Sequence, residues 1–499
     1  MIDLHNDALL ALPPRKLLPY LRQAKKDGVD EIWLSVWTTE LKNPLATIAR
    51  KRILLDKIAG NPEYPLCRLH IEDAWFLNTK NVYRLITLRP YSVGLTWNHA
   101  NNLAGGAHSK QGITPLGYQI IQILEKAGIQ IDTAHLNRRS FWQFNRATSR
   151  PLVCTHTAFN AICRHPRNLT HHQIHAIVKS GGYLGLALVP QFLTKNTISC
   201  GVYNIINHIN YFKHRFDTEK LFLGTDFYGT KLLPKEINNY QDIKHLLYTD
   251  IIGYSVLKKP IIAYQIGKLT APRRLLITAG MHAREWITSL AIQSWLKQLK
   301  TVPHDLCIIV IPFCNPDGTN LATNGLKAIP RHLQKKLYRI NNYSNDFSLW
   351  KANARAVDLN VNFNANWSHG VSNIKFPAPA NYIGPKPHSE PENRALLRLI
   401  KKFRPTASLA LHSKGNIIYY SRSEDQHTAQ KLSELTAFPA ILSSTSFGGL
   451  TDYLALHHQI PSFTIELGDD NLKHPITAEH LPSIMPKLTQ IINYFLTGA

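Results

Sequence analysis

The chain has 499 residues, 44% hydrophobic and 18% charged, which excludes a disordered or fibrous protein and calls for two or three folded domains. No apolar run approaches the roughly 20 residues that span a bilayer, and the polar start Met1-Ile-Asp-Leu-His-Asn-Asp7 lacks the basic-then-apolar pattern of an export leader, so a cytoplasmic protein is expected. The net charge of +24 is spread without a basic run or helical stripe, so no nucleic-acid partner is expected. Six cysteines in no metal-ligand spacing read as reduced core thiols.

In chain order, the first strand candidate carries His5-Asn-Asp7, two metal-competent side chains at i and i+2. On a strand these share a face. Strand-like runs follow at Glu31 to Trp37, Cys67 to Glu72, Ser92 to Trp97, Gly128 to Asp132, Pro151 to Thr155, Gly182 to Leu188 and Leu221 to Gly224. Helical stretches lie between many of them, as at Gly117 to Lys126 and His171 to Lys179. Such alternation over about 250 residues predicts a (β/α)8 barrel. Several strands end in a metal-competent residue: Glu72, His135, His156 and Asp226. C-terminal strand ends face a barrel's common mouth. Two cations bridged by one carboxylate would use this set and activate a shared water.

The segments His5-Asn-Asp7, Ile71-Glu72, Leu95-Thr-Trp-Asn98, Gly112-Ile-Thr-x-x-Gly117, Asp132-Thr-Ala-His135, Thr155-His-Thr157, Arg167-Asn168 and Gly224-Thr-Asp-Phe227 resemble, in order, the membrane (renal) dipeptidase family. The resemblance implies a binuclear zinc barrel that splits dipeptides and tolerates a D-residue on the C-terminal side. By it, His5 and Asp7 hold one zinc, His135 and His156 the other, and Glu72 bridges them. Arg167 holds the substrate carboxylate and Asp226 handles the proton or amine. The chain departs from the family at Trp97, where the mammalian branch has histidine, and at Tyr228, where a second aspartate is common.

Ile252 to Gly267 reads as a turn with two edge strands and a new alternation, placing a boundary near 247 and dividing the chain into residues 1–247 and 248–499. Leu275 to Ala279 is a short apolar run ending at Gly280, the pattern of a buried strand. His282 and Glu285 follow at the entry to a helix expected to run to Leu299. An i, i+3 pair shares one face of a helical turn, and an open zinc site takes three protein ligands. His412, a polar break ending the run Ser408-Leu-Ala-Leu, is the third. Leu306 to Phe313 reads as a strand buried on both faces, with Asn315-Pro-Asp-Gly318 as its closing turn. Helices are expected at Pro391 to Lys402 and Thr428 to Thr436, completing an α/β mixed-sheet domain. Glu466 ends the strand Pro461-Ser-Phe-Thr-Ile-Glu466 and is the candidate general base.

Gly280-Met-His282-Ala-Arg-Glu285, Asn315-Pro-Asp-Gly318, Asn353 to Asn360, His412-Ser and Phe463-Thr-Ile-Glu466 resemble the zinc carboxypeptidase family. That resemblance implies one zinc on His282, Glu285 and His412, oxyanion stabilisation by Arg355, substrate contact by Asn360, and Glu466 as general acid/base. True carboxypeptidases carry an arginine after that asparagine, clamping the substrate's terminal carboxylate; here it is Val361. The family's phenolic tyrosine is also missing, with Ser444 nearest. Trp350-Lys-Ala-Asn353, Asn360 to Trp367, Ser389-Glu-Pro-Glu392 and Thr464 to Gly468 are similar instead to the γ-D-glutamyl-L-diamino acid endopeptidase branch. The expectation is a bifunctional zinc peptidase of murein stem peptides, with small peptides as partners. A general carboxypeptidase joined to a broad dipeptidase, or a non-catalytic sensor of cell-wall fragments, are the alternatives.

Overall fold

The computed structural model describes all residues except 245, 300, 301, 444–446 and 499. By internal packing the chain forms two compact units, Met1–Leu247 and Tyr248–Ala499.

The first unit is a closed barrel of eight parallel strands in sequence order: β1 (Ile2–Asn6), β2 (Glu31–Trp37), β3 (Leu66–Glu72), β4 (Ser92–Gly94), β5 (Gln130–Asp132), β6 (Val153–Thr157), β7 (Tyr183–Leu186) and β8 (Leu221–Leu223). Closure places Asp3 of β1 opposite Leu223 of β8. Helices between strands bury one apolar face each. In Pro115–Lys126, Ile120, Ile121 and Leu124 are buried, and the start is fixed by Pro115 and by the Thr114 side chain accepting from Gly117 N. This is the expected barrel, with β4 and β5 shorter than their apolar runs.

The second unit is an eight-stranded mixed sheet. Its strands are β9 (Thr249–Tyr254), β10 (Pro260–Ile266), β11 (Arg273–Thr278), β12 (Leu306–Ile311), β13 (Ala407–His412), β14 (Ile417–Tyr420), β15 (Ala440–Leu442) and β16 (Ser462–Glu466). The order is β15-β14-β16-β13-β11-β12-β10-β9. Successive side chains of a strand face opposite layers, and both layers here are helical. Leu275 and Ile277 of β11 pack with Ile287, Ala291 and Trp295 of the Trp286–Gln298 helix. Leu276 faces Leu396, Leu450 and Leu454 of the Pro391–Phe403 and Leu450–His458 helices.

Three local expectations are corrected. β10 is not an edge strand, because it pairs antiparallel with both β9 and β12; of the two, β9 is the one at the rim. Asn315-Pro-Asp-Gly318 does not close a turn but starts a helix, Pro316–Asn324, with the Asn315 side chain capping Gly318 N. His282 precedes and Glu285 ends a 3-10 turn, Ala283–Glu285, ahead of the α-helix. All six cysteines are free and five are buried. Among the described residues no helix is long and apolar enough to cross a membrane.

Candidate active sites

In the barrel, β1, β3 and β6 deliver His5, Glu72 and His156 to one end, and the loops after β1, β5 and β8 add Asp7, His135 and Asp226. His5 Nε2 lies 3.3 Å from Asp7 Oδ2 and 3.8 Å from Glu72 Oε2. His135 Nε2 is 2.7 Å from Glu72 Oε1 and 3.0 Å from His156 Nε2. Glu72 thus stands between the two pairs, one oxygen toward each. Asp226 hydrogen-bonds Asp7. Burial, then the charge of Asp7, pushes the Asp226 carboxyl up to about 8. Burial likewise raises Glu72 to about 8, with Asp7 and Asp226 adding to it against the His5 charge.

Donor atoms of His5, Glu72 and His156, and of His5, Asp7 and Asp226, lie within 4.8 Å of one another. Beyond its 3.3 Å ion-pair contact with Asp7, His5 Nε2 has no hydrogen-bond partner of good geometry among the described residues, and the His135 and His156 nitrogens point at each other and at the Arg167 guanidinium (3.1 and 2.8 Å). A lone-pair-rich, buried nitrogen–oxygen set of this kind fits divalent zinc. Partners sequence reading missed orient it: Asn98 Oδ1 accepts at His135 Nδ1 (3.1 Å), and Thr155 Oγ1 lies 3.0 Å from His156 Nδ1. Such contacts select the tautomer that leaves the other nitrogen free. The adjoining cavity, about 340 Å³, has Trp37, Trp97, Phe192 and Tyr228 as walls and Arg167 as its one cation among the described lining residues. Trp97 and Tyr228, where the chain departs from the dipeptidase pattern, therefore shape this cavity.

In the second unit β11 and β13 are adjacent parallel strands, so the turn after β11 and the end of β13 meet. Gly280 makes the sharp exit at φ +58, where a Cβ would stand 2.5 Å from Ser289 Oγ. His282 Nδ1 is 2.9 Å from Glu285 Oε1, His412 Nδ1 is 3.0 Å from Glu285 Oε2, and the two Nδ1 atoms are 3.1 Å apart. All three donors lie within 4.8 Å, and this set also fits zinc. His282 Nε2 is 3.3 Å from Asp358 Oδ1, which leaves Nδ1 as its lone-pair nitrogen. Burial alone depresses His282, but the charges of Glu285 and Asp358 outweigh it and raise it to about 9. Asp358 was legible as the carboxylate of the Asp-Leu-Asn segment, but without a role.

Glu466 is paired in register with His412. Desolvation, then the Glu285 charge, pushes it up to about 8, a range suited to taking and returning a proton near neutrality. Asn360 Oδ1 accepts from Leu450 N at 3.3 Å, at the start of the Leu450–His458 helix, next to the half-buried Val361. Ser444 lies outside the described residues.

The structure does not bring Arg355 to this cluster. Its side chain is 54% exposed and pairs with Glu390 at 3.7 Å. A cation that does reach the cluster is Lys351, 18% exposed, with Nζ 3.7 Å from Asp358 Oδ2; Arg284 acts with it on Glu466. The Lys351 charge acts on His282, His412 and Glu466.

Comparison with known proteins gives a match for each half. The family profile described as membrane dipeptidase matches residues 72–255 and the one described as zinc carboxypeptidase matches residues 237–440. The γ-D-glutamyl-L-diamino acid endopeptidase 1 of Lysinibacillus sphaericus is 31% identical over 281 residues, 52% of this chain and 70% of that protein. The dipeptidase TcpJ of Claviceps purpurea is 20% identical over 158 residues, 32% of this chain and 36% of that protein. A metallopeptidase structure from Rhodobacter sphaeroides, liganded with a phosphinate mimic of L-Ala-D-Ala, is 19% identical with a TM-score of 0.44, covering 49% of this chain and 90% of that one.

Proposed function

The C-terminal half of the chain belongs to the zinc carboxypeptidase family and the N-terminal half to the membrane dipeptidase family, and from that premise we propose a bifunctional zinc peptidase that dismantles peptidoglycan stem peptides in the cytoplasm. Residues 248–499 cut the bond between γ-D-Glu and diaminopimelate. Residues 1–247 split the L-Ala-D-Glu so released. The observation that carries the reading is Val361: a valine cannot donate to a terminal carboxylate, so the clamp that defines a carboxypeptidase is gone. The name of the relative 31% identical to the chain points to the same γ-linked bond. Consecutive reactions carried on one chain keep the intermediate at high local concentration.

His282, Glu285 and His412 would hold one zinc; His5, Asp7, His135 and His156, with Glu72 shared, would hold two. Zinc in such sites supplies Lewis-acid polarisation of the scissile carbonyl and activation of water. The chain supplies the rest. Glu466 takes the proton of the attacking water and returns it to the leaving amine. Lys351, in place of Arg355, stabilises charge developing on the carbonyl oxygen, while Asn360 contacts substrate and Asp358 fixes the His282 ring. In the barrel, Arg167 binds the dipeptide carboxylate and Asp226 carries the proton to the amine.

The test is Glu466→Gln in zinc-supplemented assays read by mass spectrometry. The variant is expected to leave L-Ala-γ-D-Glu-diaminopimelate intact while still hydrolysing added L-Ala-D-Glu. Loss of both activities, or of neither, overturns the division of labour.

A further inference from the structure

Two residues before His5, β1 carries a carboxylate that zinc binding leaves unused. Asp3 is fully buried and makes no ion pair among the described residues. Its Oδ1 accepts from Thr225 N at 2.8 Å, and its Oδ2 accepts from Thr225 Oγ1 at 2.7 Å and from the Tyr240 hydroxyl. Tyr240, 1% exposed, stands in the short Tyr240–Ile243 helix near the end of the first unit. Its hydroxyl also accepts from Asn6 Nδ2 at 2.9 Å, and Asn6 is the residue between His5 and Asp7. Neither Asp3 nor Tyr240 belongs to the segments that resemble the dipeptidase family.

A carboxylate buried without a counter-charge is costly unless its oxygens are satisfied. Here only a carboxylate suits the donors present: it accepts at both oxygens, whereas an amide would turn an N–H toward Thr225 or Tyr240. The contacts join the two segments that supply His5, Asp7 and Asp226. β1 carries His5 and leads to Asp7, and Thr225 precedes Asp226 at the exit of β8. Asp226 N donates to His5 O at 3.1 Å, and Asp7 N donates to Phe227 O at 2.9 Å. Asp226 holds its backbone at φ +59 and Tyr228 at φ +69, a region that residues other than glycine keep only when their surroundings over-determine it. Room is also tight: a Cβ at Gly229 would stand 2.2 Å from Asp226 Oδ1 and 2.3 Å from Asp7 Oδ2. A small shift of the β8 exit therefore displaces both carboxylates.

We propose that Asp3 and Tyr240 are positioning residues of the barrel site, locking the ends of β1 and β8 together so that His5, Asp7 and Asp226 converge on one metal ion. The donor atoms of those three lie within 4.8 Å of one another. The proposal rests on the barrel reading argued above and extends it to a segment at the end of the first unit. Neither Asp3 nor Tyr240 lines the cavity. Tyr240 acts through Asp3, and Asp3 acts through Thr225. A merely structural role would lower stability and leave the affinity for metal unchanged.

The experiment loads the full chain with Co²⁺, measures metal affinity by chelator competition and follows coordination in the visible spectrum. Tyr240→Phe removes the hydroxyl and keeps the ring that packs 5.2 Å from Phe227. It is expected to weaken one of the two barrel ions about 10–100-fold, the cost of losing a partner behind a metal ligand, and to change the bands of that ion alone. The ion on His282, Glu285 and His412 is the internal reference. In the zinc-loaded chain kcat for L-Ala-D-Glu is expected to fall about tenfold or more with KM little altered. Asp3→Asn is expected to lose the same ion; should that variant not fold, Tyr240→Phe decides alone. Unmodified affinity and bands in Tyr240→Phe overturn the proposal, whether or not the metal-free chain melts earlier. An unmodified chain that takes up only the ion of the second unit refutes the barrel reading itself, and the proposal with it.

Discussion

Lys351→Met and Arg355→Ala, made separately, distinguish two cations four residues apart. Arg355 is 54% exposed and pairs with Glu390 at 3.7 Å. Exposed pairs of this kind contribute about 0–1 kcal/mol, so its removal should change kcat less than about fivefold. Lys351 is 18% exposed and sits 3.7 Å from Asp358, the carboxylate that holds His282. Removing a donor to a developing oxyanion costs about 3–4 kcal/mol, a factor of about 100–1000 in kcat. Methionine keeps the length and apolar stem of lysine. The assay is steady-state release of diaminopimelate, with bound zinc measured on the same samples to separate loss of the oxyanion contact from loss of the metal. Full zinc content with kcat reduced at least a hundredfold is expected for Lys351→Met. A fully active Lys351→Met beside a crippled Arg355→Ala would refute the reasoning.

Asp358→Asn should weaken zinc at the His282 site by about 10–100-fold, the usual cost of losing a carboxylate behind a metal-bound histidine; chelator competition measures it, and unchanged affinity contradicts the assignment. His208, buried, accepts from Phe159 N at 3.1 Å and donates to Leu193 O at 3.1 Å, and burial lowers its pKa to about 4. Because the folded value lies below the unfolded one, the unfolded chain takes up the proton first. The stability lost grows as pH falls from 6.5 to 4 and totals about 3 kcal/mol; denaturation of the N-terminal half followed against pH should show a shallower slope in His208→Gln. Asn315→Ala removes a helix cap and leaves the carbonyls of Met281 and Ala352 without the Asn315 amide. It should cost about 2–3 kcal/mol, read as a lowered melting temperature; an unshifted transition contradicts that role.

The barrel and the mixed sheet were legible because both signals are local. Alternating strands and helices, and an all-apolar run such as Leu306 to Ile311, state their burial directly. The donors the structure brings together were legible for a chemical reason. Glu72 and His156 lie at the ends of apolar strands and His135 just beyond one, where a polar residue needs a partner. What escaped is decided by distant contacts. β10 reads like an edge strand until β12, more than 40 residues later, pairs with it. Asn315-Pro-Asp-Gly318 suits a turn and a capped helix start equally, and the choice follows from what comes after. Lys351 and Arg355 lie in a segment without strand or helix periodicity, so nothing local states which of them faces the cluster.

The most direct measurement follows L-Ala-γ-D-Glu-diaminopimelate through a time course with the zinc-loaded chain. Diaminopimelate should appear first, with L-Ala-D-Glu rising and then falling as free alanine and glutamate accumulate. Tripeptide that stays whole would contradict the carboxypeptidase-like half, and L-Ala-D-Glu that accumulates without decay would contradict the barrel.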